Sequence, residues 1–207
     1  MKSNSKIWIG ADPGGKGKFG LAILGPESFA TICCVGCAEE AVDVVLQHVT
    51  CAPAGIGVDA PLWWSSGKSG DRCADQWIRK QYCKHGLRSG TVQAANSLRG
   101  AAIVQGMMFV QRMREHFPKV PVTETHPKAQ LFALGNPSWK SFTQSFSVTC
   151  RKPNEHERDA IISAVAAREG FEKRWRRDLS KEPKRHDFEQ DTKNFWLAPV
   201  HYFWPEG

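Results

Sequence analysis

The residues of this 207-residue chain best placed to do chemistry are acids that close apolar runs. Ile7-Trp8-Ile9-Gly10-Ala11-Asp12-Pro13-Gly14-Gly15 ends in a carboxylate and a turn, and Ile56-Gly57-Val58-Asp59-Ala60-Pro61 repeats the pattern. Val120 to His126 carries Glu124 at its end, and a helical stretch opened by Asn154 or Glu155 carries Asp159, with His156 one turn earlier. Carboxylates converging from separate elements repel one another and resist joint ionisation unless a cation sits among them. Hard oxygen donors of this kind select Mg2+ or Mn2+. His156 adds a group that could ligate a metal or move a proton near neutral pH. Singly, each residue has a plainer reading: Asp12 and Asp59 as turn formers, Asp159 as a partner in a helix cap, His126 as a strand-end histidine bonded to the backbone.

For these acids to meet, the elements that carry them must be neighbours. Residues two apart on a strand share a face, so Gly10 goes with Asp12 and Gly57 with Asp59. If the two strands pair in parallel, their aspartates emerge side by side at the carboxyl edge, where open α/β sheets bind ligands. Pro13 to Lys18 is a turn, Phe19–Leu24 a returning strand, and Phe29–Val35 a third strand after a second turn. Residues 38 to 49 have helical spacing and supply the crossover that a parallel pairing of the Asp12 and Asp59 strands needs. Pro121 favours an edge position for the strand that ends in Glu124. A long helix is expected over Leu98–Phe117, capped by Asn96-Ser97, with short helical pieces after Pro127 and within 137–149. The expectation is an α/β domain with a mixed five-stranded sheet, three antiparallel strands followed by two parallel ones, flanked by helices.

Residues 62–97, with Trp63, Trp64 and a short polar helix, are too irregular in pattern for core and read as an insertion. Such an insertion is either a substrate contact or a loop pinned by tryptophans. The charged segment 171–207 reads as a solvated face whose aromatic runs, Phe195-Trp196-Leu197 and Tyr202-Phe203-Trp204, fasten the tail to a single domain spanning 1–207. The absence of a long apolar run or a signal-like start gives a cytoplasmic expectation. Seven cysteines, including the Cys34–Cys37 pair, lack the second closely spaced pair that a zinc ribbon needs. A net charge of +7 makes a polyanionic partner such as nucleic acid plausible, DNA and RNA alike. Lys16, Lys18, Arg72 and Arg79 are the candidate phosphate contacts.

Taken together, Asp12-Pro13-Gly14-Gly15, Phe19-Gly20-Leu21-Ala22, Gly57-Val58-Asp59-Ala60-Pro61-Leu62, Arg72-Cys73-Ala74-Asp75, Glu124-Thr125-His126-Pro127 and Glu157-Arg158-Asp159-Ala160-Ile161-Ile162 resemble a family of predicted ribonuclease H-fold nucleases long carried as a domain of unknown function. The segment His156-Glu157-Arg158-Asp159-Ala160 is also similar to the helix signature of Holliday-junction resolvases. The resemblance covers nearly the whole chain. It implies a ribonuclease H-like fold and phosphodiester hydrolysis with two divalent ions, about 4 Å apart in such sites. Asp12 would bridge the ions, Asp59 and Asp159 would complete the two sites, and Glu124 would be a fourth ligand or an orienter of the others. Two other classes share the fold: a non-catalytic nucleic-acid-binding module, and an actin-like ATPase or sugar kinase, which needs a second fold repeat and a glycine-rich adenosine loop not found here.

Overall fold

A computed structural model describes residues 6–63, 71–93, 100–181 and 199–205. The apolar runs become strands wherever β-branched and aromatic residues can be covered on both faces. β1 (Trp8–Asp12), β2 (Phe19–Leu24) and β3 (Ala30–Val35) form an antiparallel meander. The helix α1 (Ala38–His48) then crosses to β4 (Gly55–Val58), which pairs with β1 in parallel. After α2 (Cys73–Tyr82) and α3 (Gly100–His116), β5 (Val122–Glu124) adds to β4, again in parallel. The strand order is therefore β3-β2-β1-β4-β5, a five-stranded mixed sheet of the expected kind. Two short helices, α4 (Pro127–Ala133) and α5 (Trp139–Ser145), lead into α6 (Glu155–Phe171). A small two-stranded antiparallel sheet of β6 (Arg177–Asp178) and β7 (Phe203–Trp204) follows.

The alternation of side chains sorts the core into two layers. Ile9, Ala11, Leu21, Ile23, Ile56 and Val58 face α1 and α3, meeting Ala41, Val45, Phe109, Val110 and Met113. Trp8, Ala22, Leu24, Ala30 and Ile32 face the other way and meet Ala160, Ile161, Ala164 and Val165 of α6. On that second face the helix comes down on glycine. A Cβ at Gly10 would stand 1.8 Å from the Ala160 carbonyl oxygen, one at Gly20 2.2 Å from that of His156, and one at Gly57 2.0 Å from that of Ser163. Gly10 pairs with Gly57 across the ladder, so β1 and β4 jointly form a smooth floor for the helix. The start of α6 is fixed by a capping box: Asn154 Oδ1 accepts from the Glu157 N–H at 3.0 Å, and Glu157 Oε2 accepts from the Asn154 N–H at 2.9 Å.

Two expectations need correction. The stretch 62–97 is not outside the core: Leu62, Trp63, Ala74, Ile78, Tyr82 and Val92 are buried, while Trp64 to Gly70 and the expected cap at Asn96-Ser97 lie outside the described residues. Its polar composition misled because Arg72 and Asp75 are buried as a pair. In the C-terminal segment Tyr202 and Trp204 are buried, so that run fastens the tail as expected, but Trp175 and Leu179 are buried too and the charged stretch before it is not only a solvated face. Phe195, Trp196 and Leu197 lie outside the described residues. The outer side of β5 is covered: the His201 N–H donates to Val122 O at 2.9 Å and the Glu124 N–H donates to His201 O at 2.8 Å. At the far side of the sheet, the Ala30 N–H donates to Thr149 O at 2.8 Å, and the Thr149 N–H to Ser28 O at 2.8 Å. All seven cysteines are free thiols. Among the described residues no helix is long and apolar enough to cross a membrane.

Candidate functional site

Asp12 ends β1, and Asp59 directly follows β4. The Asp59 N–H donates to Ala11 O at 2.9 Å, carrying the parallel ladder one step beyond the strand and setting Asp59 in the row of Asp12. Both side chains are in phase with Gly10 and Gly57, and so lie on the face covered by α6. Asp159 immediately precedes Ala160, whose carbonyl touches Gly10. Side chains of a helix lean toward its N-terminus, which brings the Asp159 carboxylate to the carboxyl ends of β1 and β4. His156 closes the group, with its Nδ1 2.7 Å from Asp12 Oδ2.

These acids act on one another. Burial and the Asp159 charge raise the Asp12 carboxyl to about 6 against the pull of His156. Asp59 rises well above the ordinary carboxylate range, first through burial and then through the charges of Asp12 and Asp159. Asp159 is raised by burial, with Lys128 and Arg158 pulling it back. Its Oδ1 is buried and accepts no hydrogen bond from the described residues, among which the nearest cationic donor, Arg158 Nε, lies 3.7 Å away. A buried carboxylate oxygen without a donor is costly, and a cation would satisfy it. The donor set, three hard carboxylates with too little positive charge between them, therefore fits Mg2+ or Mn2+ by chemistry. Among the described residues no three Asp, Glu, His or Cys side chains stand ready-assembled to hold an ion, so these acids would have to turn toward one.

Glu124, expected beside the other acids, is on the opposite side of the sheet. It pairs in register with Val58, which faces α1 and α3, while the residue that follows Thr123 and Gly57 into the row of the aspartates is Thr125. The Thr125 hydroxyl lies 2.8 Å from the Ser163 hydroxyl of α6. A strand that ends in an acid gives no hint of which face that acid takes; a shift of one residue reverses it. Both Glu124 oxygens are already engaged, by Arg72 at 2.6 and 2.8 Å and by the Leu62 N–H at 2.9 Å. Burial still raises its carboxyl to about 7. One guanidinium serves both Asp75 and Glu124, and a single positive charge cannot neutralise two carboxylates.

Arg72, expected to contact phosphate, is fully buried in this network. It donates to both Asp75 oxygens at 2.8 Å and lies 4.1 Å over the Trp63 ring. Arg79 is engaged as well, with its Nη2 2.6 Å from both Asp71 oxygens and its Nη1 bonded to Val92 O. Lys16 and Lys18 are exposed on the β1–β2 turn, next to Asp12 in the chain. His126 is buried with its Nδ1 2.6 Å from the Tyr202 hydroxyl, and burial lowers it to about 4. The sequence reading missed Lys128, whose Nζ lies 2.9 Å from Glu155 Oε1 and 4.0 Å from Asp159 Oδ2. Its position directly after the Glu124-Thr125-His126-Pro127 motif was the available signal.

Residues 10–193 match the sequence model of DUF429, a protein family of unknown function, and the chain belongs to that family. No curated protein matches the chain significantly, and no solved structure does.

Proposed function

We propose, for a chain that belongs to the DUF429 family and takes no assigned reaction from it, that the protein is a metal-dependent nuclease hydrolysing phosphodiester bonds at the site of Asp12, Asp59 and Asp159. One observation carries this reading: three carboxylates from β1, the end of β4 and α6 meet at the carboxyl edge of the sheet, where Asp159 raises Asp12 and both raise Asp59, with His156 hydrogen-bonded to Asp12. Repulsion among gathered carboxylates has no structural benefit, and such perturbed groups cluster at functional sites. The order of elements, three antiparallel strands, a crossover to a parallel strand, and a late helix laid on the first strands, supports a ribonuclease H-like fold.

The three aspartates would hold Mg2+ or Mn2+. When bound, such an ion supplies Lewis-acid stabilisation of phosphate oxygens and a water activated near neutral pH. Everything else falls to the chain. Asp12 holds the His156 ring through Nδ1, leaving Nε2 as the nitrogen that can take or give a proton. Lys16 and Lys18 extend from the adjoining turn as sequence-independent contacts for a phosphate backbone. The net charge of +7 favours the approach of a polyanion. Thr125 and Ser163, bonded to each other beneath the aspartates, fix the spacing between β5 and α6.

The test is cleavage of a panel of labelled single-stranded, double-stranded, hybrid and branched DNA and RNA with Mn2+, comparing the protein with Asp12→Asn. Metal-dependent cleavage lost in the variant supports the reading, and equal cleavage by both would place the activity elsewhere. Retained binding with no cleavage on any substrate would favour the non-catalytic nucleic-acid-binding alternative.

A further inference from the structure

Lys128 does not belong to any motif that suggested the site, yet among the described residues it is the ammonium nearest its acids. It projects from the first turn of α4 and bridges two carboxylates one turn apart on α6, Glu155 at 2.9 Å and Asp159 at 4.0 Å. The two contacts are unequal. Glu155 makes the close ion pair at the surface, where both side chains are 60% exposed, while Asp159 is 4% exposed. The ammonium is thus held at the rim by the outer acid and stops short of the inner one. From there its field still reaches inward, lowering Asp159, Asp59 and Asp12. Asp159 Oδ1, on the other limb of the same carboxylate, accepts no hydrogen bond from the described residues, with Arg158 Nε 3.7 Å away.

We propose that Lys128 is a resident counter-cation of the acidic site, tethered at its rim by Glu155, and that it competes with the divalent ion for Asp159. This rests on the metal-binding reading above. A divalent ion entering among the aspartates meets the repulsion of an ammonium a few ångströms away, and at the intermediate effective dielectric of a partly buried site that repulsion is worth a measurable change in affinity. The ammonium in turn offsets the repulsion among the aspartates when no ion is bound. Glu155 decides between the two roles. While it holds Lys128, Asp159 stays open to an ion; without it, the flexible stem can turn the ammonium fully onto Asp159.

The two sides of the bridge therefore have opposite effects. Calorimetric titration with Mn2+ at pH 7.5 should show Lys128→Met binding on the order of tenfold tighter than the unmodified protein. Glu155→Gln should bind several-fold more weakly. In the double variant the Glu155→Gln effect should shrink, because its route through Lys128 is gone. In EDTA, Lys128→Met should melt at lower temperature than the parent, and saturating Mn2+ should raise its melting point by more. Asp12→Asn serves as the control for the site itself. If the parent binds Mn2+ no better than Asp12→Asn, the metal reading falls and this inference with it. If the parent binds through Asp12 but Lys128→Met binds no more tightly, the counter-cation role alone is wrong. An undiminished Glu155→Gln effect in the double variant would overturn the tether.

Discussion

Arg72 grips Glu124 with two hydrogen bonds, at 2.6 and 2.8 Å, in a place water does not reach. The same guanidinium holds Asp75 and stacks on Trp63, so a residue between β4 and α2 ties the start of that helix to the end of β5. Removing one member of a buried ion pair leaves an uncompensated charge. Arg72→Met should therefore lower unfolding free energy by roughly 3–5 kcal/mol, read from urea denaturation. Adding Glu124→Gln and Asp75→Asn should recover part of that loss, because the stranded charges go with the arginine. A surface role for Arg72 would predict a loss within about 0.5 kcal/mol.

Asp12 gives a pH dependence of definite sign. Its carboxyl lies near 3.8 when unperturbed and at about 6 in the folded protein, so between those values the folded state holds the proton more tightly. Its contribution to stability then falls as pH rises through that window, and the full penalty is present above it. His126 works the other way: buried neutral and lowered to about 4 from 6.5, it costs stability as pH falls through that range. The difference between the protein and Asp12→Asn cancels the histidine. In EDTA, Asp12→Asn should match the parent near pH 4 and exceed it above pH 7, by an amount on the order of 2–3 kcal/mol. Chemical denaturation across pH measures this directly.

At the floor under α6, Gly10→Ala places a methyl where the Ala160 carbonyl oxygen now stands. The helix must lift, and overpacking of this kind costs about 1–3 kcal/mol or more. Because Asp159 rides on the same helix, the variant should also lose the Mn2+-dependent rise in melting temperature that the parent is expected to show. Thermal melts with and without Mn2+ separate the two effects.

His156 should matter to rate more than to fold. It is partly exposed and bonded through one nitrogen to Asp12. If it moves a proton in the reaction, His156→Gln should reduce cleavage roughly 100-fold or more. The acidic limb of the pH–rate profile should change as well, with melting temperature altered little.

The strands, their order and the partnership of Asp12 with Asp59 were legible because alternation and glycine–aspartate spacing are local signals. Asp159 was legible as a helix acid behind a good N-cap. Glu124 was not, because the phase of β5 is set by hydrogen bonds to β4 that no local pattern records. Arg72 and Asp75 read as polar surface for a related reason: a buried ion pair has the composition of a loop. The tail was half legible; its aromatics announced docking, but where it docks depends on the edge left open by a three-residue strand.

That edge carries a consequence for solution behaviour. With the 199–205 segment hydrogen-bonded along β5 and Thr149 bonded beside the start of β3, both lateral margins of the sheet have part of their backbone already matched. Unmatched margins are where strands of separate molecules zip together. Deleting residues from 199 onward would strip one margin bare, and the truncated protein should self-associate through it.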